Sequence, residues 1–454
     1  MGLIFVLACE PSEEQITSSE SAGLTFSADT VLFDTLFTTV GSITKRLKVY
    51  NRNDNAVRID RIALGKGENS SYSIIVNGNE GTEFVDEVIL GKDSMLVLVS
   101  VHIDPMDNDL PFLVKDSVVV HANGNFGHVK LVAWGQDAIF LGDQVIDCNT
   151  TWTSNRPYVL YDTVLVDTLC VLNIDPGARI FIENNISMFV KGSMRINGTV
   201  DNKVIIRNTR LDPKFDIAPG QWGGLFFLEG TFDNVIEHAV ISNGQIGIRL
   251  GSPDADDIPE ISIGNTIIEH MSSTGILSFT SDLYVYNTVI YNCGDLLIGN
   301  LAGGNYLYEH CTFSNDPNDF FRDGPSVIIS DNFIIPDQLE LSGNLNIGIT
   351  NSIIWGREND EFVLDGSAGR VLGVDISNNI IRSTDQELVN LGNIINQERN
   401  YPGFYDSRIF DYRLDSLANA RNAGNDIGIL TDILGNDRDE MPDFGAYERL
   451  DSIQ

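Results

Sequence analysis

Two loops hold the residues of this 454-residue chain whose types and spacing are best suited to chemistry. In "NDPNDFFRDGPS" (315–326), Asp316, Asp319 and Asp323 stand close to Arg322 and the pair Phe320 and Phe321. Carboxylates and a guanidinium can hydrogen-bond sugar hydroxyls while an aromatic ring covers the apolar face of the sugar, so this is a candidate ligand-binding loop. Its Asp-Pro and Asp-Gly pairs are equally ordinary turn chemistry. In "GSPDADDIPE" (251–260), Asp254, Asp256 and Asp257 offer hard oxygen ligands for Ca²⁺, or simply a solvated acidic turn. The six histidines show no HxH or HExxH spacing, which argues against zinc, and no catalytic residue can be assigned. Trp152, Trp222 and Trp355 could serve as sugar platforms, although Trp222, set between Gln221 and Gly223-Gly224, reads as packing.

Both loops interrupt a repeat. The phrases "HAVISN" (238–243), "NTIIEH" (265–270), "NTVIYN" (287–292), "HCTFSN" (310–315), "NSIIWG" (351–356) and "NNIIRS" (378–383) follow one another after 27, 22, 23, 41 and 27 residues. A period near 23 with two central β-favouring residues predicts a solenoid of stacked strands, and the excess residues must leave it as loops over one face. The first phrase position holds His238, Asn265, Asn287, His310, Asn351 and Asn378, and the sixth holds Asn243, His270, Asn292 and Asn315. Coils ~4.8 Å apart would stack these polar residues as side-chain ladders at the turns.

With "NIDPGARIFIENNISMFVKGSMRINGTVDNKVIIR" (173–207) and "GQWGGLFF" (220–227), the repeat resembles the right-handed parallel β-helix, or pectin-lyase-like, superfamily of bacterial surface lipoproteins. "DYRLDSLANARNAG" (411–424) and "LGNDRDEMPDFGAYE" (434–448) are similar to the closing segment of those proteins. The resemblance implies an all-β chain with a β-helix over 138–405 and a C-terminal segment, 406–454, capping the open end. Cys148 and Cys170 lie 22 residues apart, about one coil, which would bring them within disulfide reach of ~5–6 Å. Cys293 and Cys311 fall at different phrase positions and are expected to be free and buried.

Ahead of the repeat the periodicity is two. "KRLKVYN", "AVRIDRIAL", "YSIIV", "MLVLVSVHI", "DSVVVHA" and "HVKLVAW" are short strands separated by Gly, Asn and Asp, and they predict an antiparallel sandwich over 24–137. The pattern is similar to immunoglobulin-like modules. Residues 10–23 form an acidic, Ser-rich tether, and 1–9 look like the remnant of a signal peptide. Val6-Leu7-Ala8-Cys9 resembles a lipobox, which implies that Cys9 is diacylated and that the chain is anchored at the Gram-negative outer membrane, facing outward. No basic residue precedes Leu3, so a start upstream of Met1 is expected.

A net charge of -35 excludes a phosphate footprint, and with it nucleic-acid partners. Asp followed by Ser or Thr and an aliphatic residue or Met occurs at Thr30, Thr35, Ser94, Ser117, Thr163, Thr168, Ser416 and Ser452, and is read as either an O-glycosylation acceptor or a strand opening. Three functions stay open. One is a non-catalytic surface lipoprotein binding an extracellular glycan or protein partner; another is a Ca²⁺-dependent polysaccharide lyase or a glycoside hydrolase; the third is a structural or assembly component of the envelope.

Overall fold

The structure, a computed structural model, describes residues 14–251, 259–317, 319–335, 339–367 and 369–450. It is all-β, with 51% strand and 3% helix. The chain divides into two compact units, Met1–Ala138 and Ile139–Gln454.

The first unit contains a six-stranded and a five-stranded sheet. The larger sheet is built on Ala56–Leu64, Phe112–Ala122, Asn125–Gln136 and Thr30–Phe37, and the smaller on Lys45–Tyr50, Ser94–Val101 and Tyr72–Val76. Most pairs are antiparallel, but Asn125–Gln136 meets Thr30–Phe37 in parallel. Alternation in each strand directs one face inward: Leu47 and Val49 from the smaller sheet share a core with Val57, Ile59, Val118 and Leu131 from the larger.

The second unit is built of parallel ladders. Its strands fall into three rows, and the chain visits them in rotation, so nearly every third strand pairs with the one a round earlier. The first row includes Ser187–Val190, Gly224–Phe227 and Ile246–Gly251. The second includes Ser193–Asn197, Asn234–Glu237 and Ile261–Gly264. The third runs through Ala239–Ser242, Ile267–Met271, Val289–Cys293, Thr312–Asn315, Ile353–Gly356 and Ile380–Ile381. All six repeated phrases therefore occupy the third row.

Two long strands, Thr274–Tyr286 and Ile298–Glu309, run through both the first and second rows and join them into one 16-stranded sheet. They bend between the rows, where Thr280, Ala302, Gly303 and Gly304 take positive φ. A Cβ on Gly304 would stand 2.3 Å from the carbonyl oxygen of Ser281, so only glycine fits this corner.

In the third row the fourth phrase position points inward. Ile241, Ile268, Ile290, Phe313, Ile354 and Ile381 belong to one continuous core. The third position points outward, yet Val289, Ile353 and Ile380 are fully buried. The C-terminal segment covers them. Leu414, Ala418, Ala420 and Phe444 pack on Ile353, Trp355 and Ile380, while Tyr412, Ile433 and Ala446 pack on Val289 and Tyr291. The segment expected to cap the open end thus lies along the outer side of several rungs. The short helix Glu387–Asn390 instead sends Leu388 into the core near the last rungs.

Candidate functional site

The outer face of the second row carries a groove of about 800 Å³. It crosses four rungs: the end of Thr274–Tyr286, the end of Ile298–Glu309, Leu345–Thr350 and Val371–Ser377. In-register pairing sets Asp282 beside Asn305, Asn305 beside Asn346, and Asn346 beside Gly373. One residue pair further along, Tyr284, Leu307, Gly348 and Asp375 form a second row of outward positions. The wall is therefore a polar line beside a partly apolar one, each repeating at the ~4.8 Å strand spacing.

Hydrogen bonds fix the polar line. Asn305 Nδ2 donates to Asp282 Oδ1 at 2.7 Å and Asn346 Nδ2 donates to Asn305 Oδ1 at 2.6 Å. The Tyr284 hydroxyl donates to Glu309 Oε2 at 2.8 Å, and the Tyr286 hydroxyl to Glu237 Oε1 at 2.5 Å. Burial, reinforced by these carboxylate partners, pushes both phenols above their ordinary range, so they act as donors and not as bases. The two rings stack with centroids 5.3 Å apart. Leu307 is exposed and Gly348 has no side chain, which leaves Tyr284 open beside a shallow trough. Such a surface can hold a flat, hydroxyl-rich ligand by ring contact and paired hydrogen bonds.

The loop 315–326 is largely committed to internal partners. Arg322 is buried against Glu361, its Nη2 donating to both carboxylate oxygens at 2.7 and 2.8 Å. Asp319 Oδ2 accepts from Asn292 Nδ2 at 2.9 Å, and Asp316 faces Arg357 and Arg399. Phe320 lies close to Gly294, Phe321 is fully exposed, and Asp323 is also exposed. Asp254, Asp256, Asp257, Cys9 and Ser452 lie outside the described residues. Among the described residues, no three His, Cys, Asp or Glu side chains converge as a metal site requires. Trp152, Trp222 and Trp355 are buried; Trp222 Nε1 donates to the Ser242 carbonyl and Trp355 Nε1 to that of Arg399.

The polar residues that flank the phrases sit at corners. His238, Asn265, Asn287, His310, Asn351 and Asn378 all have positive φ, as do Asn243, His270 and Asn292. Asn and His tolerate the left-handed region better than most side chains. Stacking bonds join some of them: Asn287 Nδ2 to Asn265 Oδ1 at 3.1 Å, Asn292 Nδ2 to His270 Nδ1 at 2.7 Å, and Asn351 Nδ2 to His310 Nε2 at 3.0 Å. Asn315 differs, because its Oδ1 accepts the backbone N–H of Cys293 one rung away. Cys148 and Cys170 are disulfide-linked with Cα atoms 4.5 Å apart. Cys293 and Cys311 are buried thiols outside the disulfide, and burial pushes both up to about 12.

No protein-family model matches the chain, and no curated protein is similar to it in sequence. Among solved structures it is similar to a family 123 glycoside hydrolase from Clostridium perfringens, with 9% identity and a TM-score of 0.20, over 29% of this chain and 30% of that one. It is also similar to the E. coli chaperone DraB, at 13% identity and a TM-score of 0.18, over 26% of this chain and 55% of that one. The periplasmic chaperone SfaE gives 16% identity and a TM-score of 0.17, over 24% and 57%. The chain thus spans well under two thirds of each, and at these scores the likenesses carry no argument about fold or chemistry.

The groove residues escaped a reading based on loops. A signal does exist in "DLYVYN" (282–287) and "NYLYEH" (305–310), 23 residues apart, where Asp282, Tyr284 and Tyr286 in the first and Asn305, Leu307 and Glu309 in the second alternate with core-facing residues. It becomes legible only when the two segments are set in register.

Proposed function

We propose that this chain is a cell-surface lipoprotein whose parallel strands bind a glycan without cleaving it. The observation that carries the reading is the groove over four in-register rungs, where Asp282, Asn305 and Asn346 run beside Tyr284 and Leu307. A linear saccharide laid across the rungs meets polar partners at Asp282, Asn305 and Asn346 and apolar contacts at Tyr284 and Leu307. Under this reading the second unit is a right-handed parallel β-helix of pectin-lyase-like type, and residues 24–137 are an immunoglobulin-like spacer. Diacylated Cys9 and the acidic tether hold the protein at the outer membrane.

The experiment is a titration of the soluble chain against neutral and uronate oligosaccharides, with and without Ca²⁺. Tyr284→Ala should weaken binding about tenfold, consistent with the loss of one aromatic contact of ~1–1.5 kcal/mol. No binding across the panel, or binding indifferent to Tyr284, would refute the reading. Unsaturated or newly reducing products would replace it with an enzymatic one.

A further inference from the structure

Arginines gather in one place on this strongly acidic chain. A cavity of about 500 Å³ is lined by Asp316, Arg357, Arg382 and Arg399. Asp316 follows the third-row strand Thr312–Asn315, Arg357 follows Ile353–Gly356, and Arg382 follows Ile380–Ile381, so the stacking of rungs brings them together. Arg357 Nε lies 3.4 Å from Asp316 Oδ1 and Arg399 Nε 3.7 Å from Asp316 Oδ2. Trp355 holds Arg399 in place by donating to its carbonyl at 3.0 Å.

Arg382 is the decisive member. It is only 8% exposed, its guanidinium lies 5.5 Å from the centre of the Trp355 ring, and its Nε donates to the Glu358 carbonyl at 2.7 Å. Its buried Nη1 has no hydrogen-bond partner. A guanidinium donor withheld from water and left unpaired is costly, typically ~1–3 kcal/mol or more. Glu361 does not relieve it, because that carboxylate is taken by Arg322, Ser326 N–H and Glu358 N–H. Three guanidiniums therefore face one carboxylate, with an unused donor beside them.

We propose that this cavity is a binding site for one oxyanion group, a carboxylate, sulfate or phosphate, held by Arg357, Arg382 and Arg399. Planar guanidiniums suit such groups because each can give two parallel N–H donors. Asp316 is the resident competitor and lowers the affinity for the incoming anion. The site is separate from the second-row groove, so its existence does not depend on glycan binding there.

The test is calorimetric titration of the whole chain at low ionic strength with phosphate, sulfate, glucuronate and polygalacturonate, using chloride as the control. At least one oxyanion should bind, and Arg357→Gln/Arg399→Gln should weaken it at least tenfold in a chain that still melts cooperatively, since both side chains are substantially exposed. Asp316→Asn should tighten it severalfold. Polygalacturonate binding more tightly per carboxylate than glucuronate would assign the anion to an acidic saccharide. Equal affinity would assign it to a free oxyanion. No binding beyond chloride, or binding unchanged in the double variant, would overturn the proposal.

Discussion

At the scale of single residues, the recurrent Asn and His of the repeat are explained first by backbone geometry and second by side-chain bonding. Asn287 shows both, with φ of 44° and bonds from Nδ2 to Asn265 Oδ1 and to the Thr431 carbonyl, while its Oδ1 accepts from Arg438. Asn287→Val should destabilise the chain by about 3–5 kcal/mol, combining left-handed strain with orphaned buried partners. Asn287→Gly should recover about 1–2 kcal/mol of that, the backbone part, in chemical denaturation. His310 adds a pH dependence. Burial, with Arg438 nearby, pushes its imidazole down to about 3, and Asn351, oriented by its bonds to Asn425, donates to Nε2 and so requires an unprotonated nitrogen. The unfolded chain takes up this proton near pH 6.5 and the folded chain does not, so the contribution of His310 is complete above that pH and falls as acid is added. Other buried groups oppose it, since burial raises Glu448 to about 7. The informative measurement is therefore the difference from His310→Asn, which keeps a left-handed-tolerant residue. Between pH 7 and 5, the wild-type melting temperature should fall relative to that of the variant. The Asp-Ser/Thr pairs have a local role too: at Ser94, Ser117, Thr163, Thr168 and Ser416 the aspartate accepts the N–H of the next residue.

At the scale of elements, the third row is buried on both faces, inward by the core and outward by the C-terminal segment. This is why its phrases read as apolar pairs and not as simple alternation. The segment is bound as well as packed: Ala446 N–H donates to Thr312 Oγ1 and Gly445 N–H to the Asn351 carbonyl. A chain ending at residue 405 should therefore expose Val289, Ile353 and Trp355, bind a hydrophobic dye and lose solubility. An end cap alone would leave those side chains covered, so retained solubility and no dye binding would contradict the lateral packing. The groove depends on elements differently. Its residues come from four strands spread over 94 residues, Asp282 to Asp375, and only the parallel register joins them.

At the scale of the whole molecule, each compact unit encloses its own core, one shared by two sheets and the other running through the stacked rungs. The Cys148–Cys170 disulfide closes a span of 22 residues within the second unit. Replacing both cysteines by serine should cost about 3 kcal/mol by the loop-entropy relation. In calorimetry the loss should fall on the transition of the parallel unit, whereas residues 14–138, which contain neither cysteine, should melt unchanged. The sequence by itself determined the β class, the change of period near residue 138 and the six phrases, because side-chain alternation and left-handed corners are local constraints written into neighbouring residues. The tertiary structure alone decided that the tail lies along the rungs, that Arg322 is spent on Glu361, and that Asp282, Tyr284, Asn305 and Asn346 share a wall. Those outcomes depend on which rung stacks on which, and the variable loops between phrases hide that register from a linear reading.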